Sequence, residues 1–335
     1  MVLHSSVIAL ILGSGVVLLL ILSAAALGIR ILLKWDIKSS SEEQLSLERK
    51  TYLVSTLVQY ALGFEILSTL LFLYTADDIH YLLVGAMCAT GSLNANPYGF
   101  PTLYAKVAAL FISASWIAIN YLDSKAEDYP LTMTKYKFLL FVVLVVIVES
   151  VLQFLYFLNV NPDVITSCCG FLFSEGGRGL GSSLASLPIL PAKITFYSLL
   201  TISIVLGITT LKTSRKPFTF LFSISSFLFF IVSVISIIAF ISLHFYQLPT
   251  HHCPFDILQG EYYYIGYPLY VTLFGGCFFG MMVGAIEPFK NISSLSVVIP
   301  QVQRRWSLRA VVGITLFAMI ATAPMVFLPF TLEGY

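Results

Sequence analysis

Phe218 to His244 reads FTFLFSISSFLFFIVSVISIIAFISLH, and no residue before the closing histidine is ionisable. About 20 residues of α-helix cross the hydrocarbon core of a bilayer, so this run is long enough to span one. Seven further apolar runs of spanning length lie near 6–33, 51–75, 103–122, 138–158, 192–211, 265–287 and 310–330. Of the 335 residues, 58% are apolar and 10% charged, whereas soluble domains carry about 25% charged residues. The expected fold is therefore all-α: an integral membrane protein with a bundle of about eight transmembrane helices. The longest connection, 159–191, leaves no room for a soluble domain, so residues 1–335 read as one polytopic membrane domain.

Lys and Arg in short loops set orientation, because cytoplasmic loops hold the excess. One set of loops holds Arg30, Lys34, Lys38, Arg49 and Lys50, then Lys125, Lys135 and Lys137, then Lys212, Arg215 and Lys216, then Lys290, Arg304, Arg305 and Arg309. The opposite set holds Arg178, with Lys106 and Lys193 just inside the helices that come next. This places the chain in the cytoplasmic (inner) membrane with N- and C-termini extracytoplasmic. Ala24-Ala25-Ala26 resembles a signal-peptide cleavage site, but the basic residues come after the apolar run rather than before it, the wrong flank for a leader.

A net charge of +1 argues against a nucleic-acid partner, which would want a basic face. The expected partners are the lipid bilayer and other membrane or extracytoplasmic protein subunits. No nucleotide-binding or hydrolase motif is evident.

Just beyond the quoted run comes His251-His252-Cys253-Pro254-Phe255-Asp256-Ile257-Leu258-Gln259-Gly260-Glu261-Tyr262-Tyr263-Tyr264, polar and aromatic between two apolar segments. Loops 76–102, 159–191 and 246–264 all fall on the outer side and are expected to form an extracytoplasmic cap. In the first, an apolar piece, Tyr81 to Cys88, is too short to span and reads as re-entrant or interfacial. The second holds Cys168-Cys169-Gly170 and a Gly-rich stretch around Arg178 that reads as a linker.

Four of the five cysteines, Cys88, Cys168, Cys169 and Cys253, occupy these outer loops. Three readings stand open. Two structural disulfides could staple the loops, since oxidising compartments favour pairing. The thiols could exchange, with His251 and His252 activating Cys253. Or His251, His252, Cys253, Cys168 and Cys169 could ligate a metal, with Glu261 orienting His252 from behind. Cofactor expectations are a metal ion, haem or quinone.

Inside the membrane, span two carries Glu65 with Gln59, and span four carries Glu149 with Gln153. A carboxylate at bilayer depth costs roughly 2.5–3.5 kcal/mol on insertion scales, so both acids must face the bundle interior, paired or protonated. They are candidates for a proton relay or ligand contact, and equally for packing hydrogen bonds. Lys106 reads first as a side chain snorkelling to the headgroups, with an inward charge facing a carboxylate or quinone oxygen as the alternative.

Gly276, Gly280 and Gly284 recur at four-residue spacing and predict close approach of a second helix. Cys277 beside them reads as a packing residue. His244 reads as an isolated interfacial histidine. Ser39-Ser40-Ser41-Glu42-Glu43 reads as a solvated connector before a helix start, Asp123 to Lys137 as a solvated loop, and Gln303-Arg304-Arg305-Trp306 as an interfacial anchor.

The leading functional expectation is a thiol-redox, electron-transfer or metal-handling protein with an outer Cys/His-rich site and Glu65 and Glu149 as a polar path. The alternative is a transporter or permease-like subunit whose outer cysteines only form structural disulfides. Whether it is an enzyme is left open.

Overall fold

The computed structural model of the chain describes residues 3–36, 39, 41–163, 180–330 and 332. Among them every regular element is helical, and eight helices are long and apolar enough to cross a membrane. These are α1 (Ser5–Lys34), α2 (Glu42–Asp78), α3 (Gly99–Asp123), α4 (Thr132–Asn159), α5 (Ile189–Lys212), α6 (Lys216–Ser236), α7 (Gly266–Ala285) and α8 (Val298–Phe327). Each falls on one of the eight apolar runs. Two compact units emerge: Met1–Ala76, Leu93–Val164 and Ile292–Val298 form the first, and Asp77–Ser92, Ile165–Asn291 and Ile299–Tyr335 the second.

The first unit holds α1 to α4. Its core joins Val17 and Ile21 of α1, Val58 and Leu62 of α2, Trp116 of α3, and Leu139 and Val142 of α4, all buried. Hydroxyls and amides lock these faces together. Tyr136 Oη donates to Thr51 O at 3.3 Å and meets Ser55 Oγ at 3.2 Å. Gln153 Nε2 donates to Ser14 Oγ at 2.9 Å, and Asn120 Nδ2 to Gln59 Oε1 at 3.2 Å.

Two segments of this unit bear on the sequence reading. Helix α2 starts at Glu42, well before the apolar run, because Ser41 Oγ accepts the Gln44 N–H at 3.3 Å and satisfies one of the unpaired donors of the first turn. The connection Asp123 to Lys137 is not an ordinary solvated loop. Buried Lys135 pairs with buried Asp123 at 2.6 Å and donates to Asn120 Oδ1 at 3.1 Å. Asp123 also accepts the Leu131 N–H at 2.8 Å, so its carboxylate ties both ends of the turn. Alternating charges along 123–137 looked solvated because sequence does not show which acid turns inward.

The second unit holds α5 to α8. Helix α6 continues through a wide turn, Ile237–Ile241, into Ser242–Tyr246. The glycine face of α7 brings two helices close. A Cβ on Gly276 would stand 2.8 Å from Ile314 N of α8, and one on Gly284 would stand 2.9 Å from Thr219 O of α6. The expected close approach is present, and it is made on two sides. Cys277 is fully buried beside it.

Helix α8 begins at Val298, so the basic stretch read as an interfacial anchor is helical here. Trp306 is buried, with its ring 6.2 Å from that of Phe279. Gln303 Nε2 donates to Glu287 Oε2 at 2.5 Å. His244 is also buried, with Nδ1 at 2.8 Å from Phe240 O.

Candidate metal centre

Two segments of the second unit, 77–92 and 247–265, come together at their cysteines. The first leaves α2 through a helical turn, Ile79–Leu82, and reverses at Gly85, whose φ of 82° is the left-handed conformation that glycine adopts without a Cβ penalty. Asp77 organises the rest of this segment: its Oδ1 accepts the Ala89 N–H and the Gln259 side-chain amide, both at 3.2 Å. Gln259 Nε2 also donates to Met87 O at 2.9 Å, directly stitching the two segments.

The second segment is pinned from below by two tyrosines. Tyr246 Oη donates to Cys253 O at 2.6 Å and accepts the Ile257 N–H at 3.0 Å, and Tyr270 Oη donates to Pro254 O at 2.6 Å. Phenols from the two flanking helices therefore hold backbone groups of residues 253–257, which fixes the side chains this turn carries.

Cys88 and Cys253 are both fully buried, and their sulfurs lie 3.6 Å apart. Cys253 Sγ donates to Asp256 Oδ1 at 3.1 Å, and the Phe255 N–H points at the same sulfur at 3.4 Å. Thr90 Oγ1 lies 3.4 Å from it. Two sulfur atoms and a carboxylate oxygen thus all fall within 4.8 Å of one another. Asp256 turns its other oxygen, Oδ2, to His251 Nε2. The Asp256 side chain is 13% exposed and that of His251 27%, so the cluster's polar side reaches the surface at the imidazole.

Burial pushes the Asp256 carboxyl above the usual carboxylate range, against the lowering effect of the His251 bond. The bond to Asp256 pushes His251 above the ordinary imidazole value, against its own partial burial. The ionised form of a buried carboxylate beside two sulfurs is costly alone, and a cation among the three donors would stabilise it.

This geometry sorts the candidates. Of the four cysteines expected to converge, Cys253 and Cys88 meet. Asp256 and Cys88 belong to the donor set, which the sequence reading of a metal site did not include. The expected ligand His252 is not among the three converging donors; its Nδ1 lies 2.8 Å from Ile238 O, and the carboxylate–histidine pair here is Asp256 with His251 rather than Glu261 with His252. Cys168 and Cys169 lie outside the described residues. The spacing Cys253-x-x-Asp256 was the available signal for the carboxylate: a turn of that length folds the acid back over the sulfur.

The intramembrane candidates form a second cluster in the first unit. Glu65 of α2, Lys106 of α3 and Glu149 of α4 are each 0% exposed. Lys106 Nζ lies 2.6 Å from Glu149 Oε1 and 3.6 Å from Glu65 Oε1, and donates to Ser68 Oγ at 3.0 Å. The snorkelling reading of Lys106 is overturned. Two acids on facing helices attract the ammonium inward more strongly than headgroups outside, and its position one turn from the helix end did not reveal this.

No family model, no curated protein and no solved structure matches the chain.

Proposed function

We propose that the chain is an integral membrane protein that handles a soft metal cation, such as zinc or copper(I), at Cys88, Cys253 and Asp256. The observation that carries this reading is the convergence of two thiols and a carboxylate from segments 165 positions apart in sequence. Two thiolates sharing one tetrahedral cation with metal–sulfur bonds of about 2.3 Å stand about 3.8 Å apart. The observed 3.6 Å is within reach of that edge without backbone movement. Sulfur donors favour zinc and copper(I) over magnesium or calcium. His251 would orient the Asp256 carboxylate from behind, in the way outer partners hold metal ligands.

Membrane insertion is supported by the outer surfaces of the helices. Leu19 of α1, Leu57 of α2, Leu144 of α4, Val205 of α5, Ile224 of α6 and Met319 of α8 are each about half exposed or more, which suits lipid rather than water. In the second unit, Lys290 Nζ donates to Ser214 O at 3.1 Å, which gathers the basic connections 212–217 and 286–291 at one end. The basic end would face the cytoplasm, and the segment holding Cys253 then lies on the extracytoplasmic side. The helices take the bilayer as their partner, and further subunits would dock at the outer segments.

The same two sulfurs favour a second reading, a dithiol pair. Closing them into a disulfide releases two protons and two electrons to an oxidant such as a partner disulfide, with Asp256 and His251 carrying the first proton to the surface. Metal analysis of full-length protein purified in detergent separates the two. Bound zinc or copper that is lost in C88S, C253S and D256N alike supports metal handling. Metal-free protein whose Cys88 and Cys253 become protected from alkylation on mild oxidation supports the dithiol.

A further inference from the structure

The Glu65–Lys106–Glu149 cluster holds two acids and one base in a space closed to solvent. If all three were charged, the cluster would bury one negative charge in excess. Lys106 compensates Glu149 at 2.6 Å, while Glu65 receives only a 3.6 Å approach on Oε1 and a 3.4 Å hydrogen bond from Ser68. Among the described residues two carboxylate oxygens of the cluster are buried without a hydrogen-bond partner: Glu149 Oε1, which faces the ammonium, and Glu65 Oε2. An ionised carboxylate left this way bears its full desolvation cost, whereas a protonated one does not.

We propose that these three residues form a proton-exchange site that carries one proton on two carboxyls. In one arrangement Glu65 holds the proton and Lys106 pairs with Glu149. In the other the proton sits on Glu149 and the ammonium has moved toward Glu65. Both arrangements are electrically neutral: one carboxylate, one ammonium, one carboxylic acid. Ser68 bonds both Glu65 and Lys106 and can follow the shift, and Ser150 Oγ lies 3.4 Å from Glu149 Oε2. Phe72 of α2 lies 5.8 Å from the ammonium, and Tyr156 of α4, a titratable group, packs edge-on against Phe72. From α1, Leu10 O and Ser14 Oγ meet this side of α4 through Gln153.

This site stands on two buried acids converging on one buried ammonium and does not depend on the metal reading. Infrared difference spectra of the full-length protein in lipid nanodiscs, followed through a pH titration in H2O and D2O, test it. The wild type should show a carboxylic-acid C=O band that shifts in D2O. That band should be lost in E65Q and in E149Q, because each leaves one carboxylate for one ammonium. K106M, which removes the ammonium, should gain a second protonated carboxyl. Circular dichroism of each variant checks that it has folded, and E65Q and E149Q are near-isosteric, so one of the pair suffices. A band that persists in both single variants overturns the proposal. So does a wild-type band abolished by sodium chloride but not choline chloride, which would assign the site to a metal cation.

Discussion

Replacing Lys106 with methionine keeps the apolar stem and removes the ammonium 2.6 Å from Glu149. Glu149 then faces the choice that every stranded buried charge faces. It can remain ionised, at the roughly 3–5 kcal/mol typical of breaking a buried pair, or it can take up a proton. Protonating a carboxyl of ordinary pKa near 4.3 costs about 3.7 kcal/mol at pH 7 and about 1 kcal/mol at pH 5. The cheaper route sets the limit, so K106M should lose up to about 3.7 kcal/mol at pH 7 and recover most of it at pH 5. E149Q alone does not rescue K106M, because Glu65 is then the acid left without the ammonium; K106M/E65Q/E149Q removes every charge of the cluster and should come within about 1 kcal/mol of wild type at both pH values, a coupling that a mutant cycle reads directly. The assay is reversible unfolding in mixed micelles, with wild type, K106M, K106M/E149Q and the triple variant at pH 5 and pH 7. A K106M loss equal at both pH values and unrelieved in the triple variant would refute the reasoning, because it would trace the cost to packing.

At the α7–α8 contact, G276L forces a side chain where a Cβ already meets Ile314 N at 2.8 Å, and overpacking of this kind costs about 1–3 kcal/mol; G275L, where a Cβ meets nothing within 4 Å, should be near neutral in the same unfolding assay. D123N should loosen the turn between α3 and α4 by about 3 kcal/mol, since it strands buried Lys135, and limited proteolysis near Glu127 should accelerate. Metal-free protein has its own pH dependence. Folding raises both His251 and Asp256, so the folded state binds more protons than the unfolded chain. This contribution is present below the unfolded values and is lost as pH rises through the raised ones, from above 3.8 to above 6.5. Chelator-treated protein should therefore melt lower at pH 8 than at pH 5, and D256N should flatten that difference.

Hydropathy made the eight helices legible, because a run such as Phe218–His244 has one solution in lipid. The small-residue spacing of α7 was equally readable, since backbone approach needs the absence of a Cβ. The pairing of charges was not. Lys106 looked like an interfacial residue because a sequence shows distance from a helix end but not which acids face it across the bundle. Asp123 and Lys135 were hidden for the same reason. In the candidate metal centre Cys88 and Cys253 were legible as a type and as occupants of two connections between apolar runs, and those connections meet. Their partner was obscured by His252, which chain neighbourhood favoured but which is not among the three converging donors. Asp256 entered through a turn held by Tyr246 and Tyr270, and no local pattern announces contacts made by residues on the flanking helices.

The most direct measurement is elemental analysis of the full-length protein purified without chelator, beside C88S/C253S prepared identically. Roughly one zinc or copper ion per chain in the wild type, and none in the double variant, is the expected result. Equal metal in both, or none in either with Cys88 and Cys253 freely alkylated and never bridged, would contradict the assignment of these two sulfurs to a functional centre.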